Sequence, residues 1–189
     1  PRPCCGGAAA GDPWPGPWRG VGRDGPSGRP RRYLAVWFPW LPSDRLQRQA
    51  QRDDAPPEDA PPVVLAEKIK GALRLAAVDP AAARAGLAPG LPLADAQART
   101  SALRVVAHRP DLDEALLMGV LEDFGRFTPM IALDPPHGLM LDVTGCAHLF
   151  GGEAGLVRRV QARAADAGLQ IRLALAGTPQ CARALARFG

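Results

Sequence analysis

No stretch of about 18 consecutive apolar residues, the length a membrane-spanning helix needs, occurs in this sequence. Its N-terminal region also lacks an apolar segment followed by a small-residue cleavage site, the mark of a secretory signal. Neither membrane insertion nor secretion is indicated, and a soluble, cytoplasmic protein without a membrane partner is expected. Cysteine is scarce: Cys4, Cys5, Cys146 and Cys181 show neither a CxxC spacing nor a disulfide framework, so they read as free thiols. A charge bias is missing from most of the chain. The net charge of +4 resides in residues 1–32, where six arginines (Arg2, Arg19, Arg23, Arg29, Arg31, Arg32) face Asp12 and Asp24. Residues 33–189 carry 17 basic and 17 acidic side chains, so global charge gives no argument for nucleic-acid binding.

Recognisable catalytic spacings are absent as well. There is no GxGxxG, no P-loop lysine, and no Ser-His-Asp or Cys-His arrangement that spacing singles out. Cys146, His137 and His148 lack a recognised zinc-ligand spacing and a fourth ligand. Gly151-Gly152 reads as a helix-entry turn, and Arg158, Arg159 and Arg163 as a solvated helix face. Two-metal chemistry needs carboxylates converging on one sheet end, because cations about 4 Å apart must share oxygen ligands. Asp134 and Asp142 are the acidic residues near the expected hairpin. Asp142 reads as ordering the turn after it, and Asp134, before two prolines, as an ordinary turn residue.

What is present is a sequence of short elements. The first 32 residues hold 8 glycines and 7 prolines without aliphatic periodicity, so a disordered extension is expected there. Order begins with the apolar run Tyr33–Phe38, stopped by Pro39 and Pro42. A short helix over Arg45–Arg52, capped by Ser43 or Asp44, leads to an acidic, proline-rich loop over Asp53–Pro62. Strands are expected at Val63–Ala66, Ala72–Val78 and Leu103–Ala107, with short helices from Asp79-Pro80 to Ala85 and over Leu93–Arg99. The longest helix is expected over Asp111–Phe127, with Ala115, Leu116, Val120, Leu121, Phe124 and Phe127 facing inward. A hairpin, Met130–Leu133 and Leu139–Val143, turns at Asp134-Pro-Pro-His-Gly138, and a helix over Glu153–Ala167 ends at Gly168. A strand over Ile171–Ala176 and a helix over Pro179–Arg187 complete the order expected for an α+β, split βαβ sandwich with helices covering one sheet face.

Several segments, taken in order, resemble the Y-family (UmuC-like) DNA polymerase domain over about residues 33–189. Ala81–Gly86 with Leu87–Ala96 is similar to the fingers motif. Phe127-Thr-Pro129, Leu139–Thr144 and Leu149-Phe-Gly151 resemble the palm hairpin and the helix entry behind it, and Gly168–Arg187 the last palm strand and helix. The resemblance implies a ferredoxin-like palm with a small fingers subdomain inserted at about residues 43–100, and a chain that stops before the family's thumb and little finger. It also places Trp37 and Pro39 at the two metal-binding aspartates of the first strand, and His137 and Gly138 at the Asp-Glu pair of the hairpin. None of the four supplies an oxygen ligand, although an imidazole at His137 suits a softer metal. The triphosphate-contacting tyrosine and arginine fall at Pro80 and Ala83, leaving Arg84, one position off, and Arg183 as weak phosphate contacts.

That pattern of loss, with Trp37-Phe-Pro39 and the run Leu141–Gly152, is similar to the non-catalytic, ImuB-like branch of the family. The resemblance implies an accessory in translesion synthesis and SOS mutagenesis rather than an enzyme. It implies weak binding to primer-template DNA, and contacts with a sliding clamp, an error-prone C-family polymerase and an ImuA-type protein. No cofactor is expected. The alternative is an active error-prone polymerase with a rearranged site, using Asp134 and Asp142 with Mg²⁺.

Overall fold

The computed structural model describes residues 30–52 and 61–189, which form two sheets with six helices. The N-terminal extension expected to be disordered, and the acidic loop expected over Asp53–Pro62, lie mostly outside these residues. Arg31 and Arg32, counted with the extension, are held in place: Arg32 O accepts from Val143 N at 2.9 Å, and the Arg32 guanidinium meets Glu153 at 2.6 Å.

The larger sheet has the order β5-β6-β1-β7, with β1 (Tyr33–Trp37), β5 (Ile131–Leu133), β6 (Gly138–Asp142) and β7 (Arg172–Ala176). β1 lies in the middle, antiparallel to both β6 and β7. Its uninterrupted apolar sequence follows from burial on both faces. Leu34 and Val36 join Leu139 and Leu141 beneath α4 (Pro110–Phe124) and α5 (Glu153–Asp166), while Tyr33 and Ala35 join Met140 and Ala176 beneath α6 (Pro179–Phe188). Helices therefore cover both faces, not one. α6 can sit close because Ala182 and Ala186 present only methyl groups to the sheet.

The second sheet has the order β3-β2-β4, built from β2 (Val63–Ile69), β3 (Ala72–Val78) and β4 (Arg104–Ala107). β2 and β3 form a hairpin, whereas β4 returns to pair parallel with β2. α2 (Pro80–Arg84) and α3 (Leu93–Arg99) close its own core of Val64, Leu75, Val78, Ala82, Leu87 and Ala96. Asp79 caps α2 as its sequence indicates, accepting from Ala82 N at 2.6 Å with Pro80 in the first turn.

Two helices depart from expectation. α4 buries Leu117, Val120 and Phe124 together with Asp113, and leaves Ala115 exposed. Its run Leu116-Leu-Met-Gly-Val-Leu121 is apolar on several sides, so periodicity alone did not fix which side turns inward. α1 (Leu41–Arg52) starts four residues before Arg45, because Phe38 and Leu41 are both fully buried and draw the first turn into the core. Ser43 and Asp44 thus lie inside the helix. Ser43 Oγ donates to Trp40 O at 2.9 Å, and Asp44 accepts from Gln170 N at 2.9 Å and from the Gln170 amide at 3.2 Å.

Asp44 is fully buried, and burial pushes its carboxyl up to about 6, against the two Gln170 hydrogen bonds and the charge of Arg48. The folded chain then holds this proton more tightly than the unfolded chain does. The contribution of Asp44 to stability accordingly rises as pH falls from about 7 through 6, and levels off near the ordinary carboxylate value of about 4. A carboxyl that titrates about two pH units higher in the folded chain than in the unfolded one is worth about 3 kcal/mol. Asp44→Asn keeps an acceptor for Gln170 N, so it is expected to stabilise the chain at pH 7 by up to that amount and to lose the advantage by pH 4. Melting both proteins across this range checks it: a constant difference in melting temperature would contradict the assignment.

Candidate functional site

At the end of the larger sheet where β1 stops and β6 begins, the register pairs Trp37 with Gly138. Phe38 N donates to His137 O at 2.9 Å, which carries the pairing one residue further and stacks the Trp37 and His137 rings, centroids 6.1 Å apart at 28°. Pro39 lies in the turn just beyond. Three of the four positions that the sequence aligns with metal carboxylates are therefore in mutual contact, and the fourth follows two residues after Trp37.

The guanidinium of Arg187 also lies over the Trp37 ring, 4.3 Å from its centroid, a cation–π contact. Arg187 Nη2 also donates to Pro135 O at 2.9 Å and to Asp134 O at 3.3 Å. It lies 3.2 Å from Asp134 Oδ1, and Arg183 Nε reaches that oxygen at the same distance. These are ion pairs rather than well-aligned hydrogen bonds, since Asp134 Oδ1 and Arg187 Nε have no hydrogen-bond partner. Asp134, expected to be an ordinary turn residue, is instead buried at 2% exposure with two guanidiniums against it. A buried carboxylate is tolerated only with such compensation. Burial pushes the Asp134 carboxyl up, opposed by Arg187 and Arg183, and pushes the Arg187 guanidinium down, opposed by Asp134. Burial also lowers His137, against the charge of Asp113, which favours a neutral imidazole.

Mg²⁺, which the fold family implies, does not fit these side chains. Trp37, Pro39 and Gly138 offer no side-chain oxygen, His137 offers nitrogen, and the Asp134 carboxylate is engaged by two arginines. Asp142 is no substitute. It pairs with Tyr33 at the far end of the same strands, four residues from Gly138, or about 13 Å at the usual strand rise. Asp142 Oδ1 accepts from Thr144 N at 2.9 Å, the turn-ordering role its sequence suggests, and Oδ2 meets Arg31 at 3.3 Å. Asp134 and Asp142 therefore cannot share a metal pair. Among the described residues no group of three or more His, Cys, Asp or Glu side chains is placed to hold a metal ion.

Of the weak phosphate contacts, Arg183 belongs to this cluster, whereas Arg84 stands exposed on α2 in the layer of the second sheet. Arg163, read as solvated, instead pairs bidentately with Asp123 of α4 at 2.6 and 2.9 Å. Arg187 escaped notice although it follows Arg183 by four residues on one helix, the spacing that aims two side chains at one target.

A central antiparallel sheet with helices on both faces, joined to a small three-stranded sheet, is a fold shared with part of the Y-family DNA polymerases. The insertion ternary complex of Dbh DNA polymerase superposes with a TM-score of 0.71 at 16% identity, covering 82% of this chain and 45% of that one. DinB from Sulfolobus solfataricus gives 0.66 at 18% identity, over 82% and 45% of the two chains. The chain belongs to the impB/mucB/samB family, whose model matches residues 49–187. It is similar to Protein ImuB of Caulobacter vibrioides strains NA1000 / CB15N and ATCC 19089 / CIP 103742 / CB 15, 43% identical to each over 104 residues. That alignment takes in 55% of this chain and 23% of either relative, so the chain spans about a quarter of the curated relatives it matches. No helix among the described residues is long and apolar enough to cross a membrane.

Proposed function

We propose that this chain is a polymerase-like accessory of translesion synthesis that engages DNA without catalysing nucleotide addition. The observation carrying this reading is the Trp37–His137 stack closed by Arg187, which fills with rings and a guanidinium the sheet end where the family's carboxylates would stand. Phosphoryl transfer of this kind depends on two cations that stabilise the attacking and leaving oxygens. Without oxygen ligands to bind them, the remaining contribution of the fold is to hold a primer-template. The balanced charge of residues 33–189 agrees with weak binding. The likeness to Protein ImuB supports action in the cytoplasm within a mutagenic repair assembly. Its partners there are a sliding clamp, an error-prone C-family polymerase and an ImuA-type protein.

Primer extension with Mg²⁺ or Mn²⁺, run beside fluorescence anisotropy on the same primer-template, tests the proposal. Expected are no extension above the protein-free control and an affinity that weakens as salt rises and ignores added deoxynucleotides. Reproducible extension by the unaltered chain would overturn the reading.

A further inference from the structure

We propose that His108 is a proton-operated latch joining the three-stranded sheet to α4. Immediately after β4, His108 N donates to Ala66 O at 2.9 Å, which extends the parallel ladder and fixes the ring between two units of the fold. Nδ1 lies 3.0 Å from Glu67 Oε2 on β2, and Nε2 lies 3.1 Å from Asp113 Oδ2 on α4. Ionised carboxylates only accept hydrogen bonds. A neutral imidazole has a single N–H and can satisfy one of the two; the doubly protonated ring satisfies both.

The two attachments are unequal. Asp113 is buried, is held at 2.6 Å by Arg45 of α1, and has no water to turn to. The Glu67 side chain is 41% exposed, so water can replace the ring there. When the ring gives up a proton, the bond to Asp113 persists and the bond to Glu67 is released. The side-chain tie of β2 to the ring is lost, and β2 keeps its backbone ladder to β4 and its packing on α1, which also packs against β3 and α4. The charged groups facing His108 are Glu67 on β2, Asp113 on α4 and Arg45 on α1. His137, in the turn before β6, is within electrostatic reach of both His108 and Asp113. The latch thus lies within electrostatic reach of His137 in the Trp37–His137 cluster.

The test is made on this full chain, with its four cysteines replaced by serine and nitroxides attached at exposed positions through Ala72→Cys on β3 and Ala162→Cys on α5. Ring ¹⁵N shifts of His108 give its protonation between pH 5 and 9, and electron–electron resonance gives the label distance at the same values. The distance distribution is expected to be narrow while both ring nitrogens carry protons and to broaden as one is lost. Glu67→Ala, a substitution on the exposed side that leaves Asp113 and Arg45 paired, should give the broad distribution throughout and abolish the pH dependence. A distribution unchanged across the ring's titration, or a pH dependence that survives Glu67→Ala, would overturn the latch.

Discussion

Asp113→Ala is expected to cost about 3–5 kcal/mol of stability, the range for removing one partner of a buried ion pair. Asp113 is 3% exposed in the first turn of α4, with Arg45 at 2.6 Å on one oxygen and His108 at 3.1 Å on the other. The loss is large because of what stays behind. The Arg45 side chain is 12% exposed and its Nη2 already lacks a hydrogen-bond partner, so alanine at 113 strands a guanidinium with neither water nor a carboxylate. Urea denaturation measures the effect. Asp111→Ala, which breaks the solvent-exposed pair with Arg109 two residues away, should leave the midpoint where it is. Equal losses from both would show that the interior position of Asp113 is not what matters.

The second large effect concerns rebuilding the polymerase carboxylates. Glutamate at 138 would stand where the sequence resemblance places a family carboxylate, yet a Cβ on Gly138 would meet Asp134 O at 2.9 Å, Asp134 Cβ at 3.2 Å and Val36 O at 3.2 Å. Two of those atoms are backbone and cannot step aside, so Gly138→Ala should itself cost about 1–3 kcal/mol, the usual range for overpacking. Gly138→Glu should cost more, because it buries a carboxylate as well. The variant Trp37→Asp, Pro39→Asp, His137→Asp, Gly138→Glu is therefore expected to be much less stable than the same set without Gly138→Glu, and to show no Mg²⁺-dependent primer extension. Extension by the fourfold variant at undiminished stability would mean that the turn reopens freely and that carboxylate loss is the whole difference from an active site.

How much of this could be read from the sequence depended on whether the governing contacts were local. β1, β6, α5 and α6 were legible because an apolar run, a turn or a capped periodic segment announces each. The convergence of Trp37, His137 and Gly138 was reached through resemblance, and the register of β1 on β6 brings those residues together. The Asp134–Arg187 pair was hidden, since an aspartate before two prolines has the composition of any solvated turn. Only a helix arriving from 53 residues downstream shows that this one is buried. The alignment of β4 beside β2 was equally invisible, because parallel pairing leaves no turn signal between its partners. α1 began early for a related reason: the burial of Phe38 and Leu41 outweighed the capping preference of Ser43 and Asp44.

The placement of β1 also orders events as the chain emerges. All strands of the small sheet lie within residues 63–107 and can pair as soon as they are made, whereas β1 must wait for β6 and β7, more than a hundred residues later. Until then the most apolar strand of the larger sheet has two open edges and two uncovered faces, the condition under which nascent chains associate with one another. Release of the chain before β7 is complete should therefore yield a structured small sheet attached to an aggregating first strand, so solubility depends on β7 and on α6, which covers the Tyr33–Ala35 face of β1.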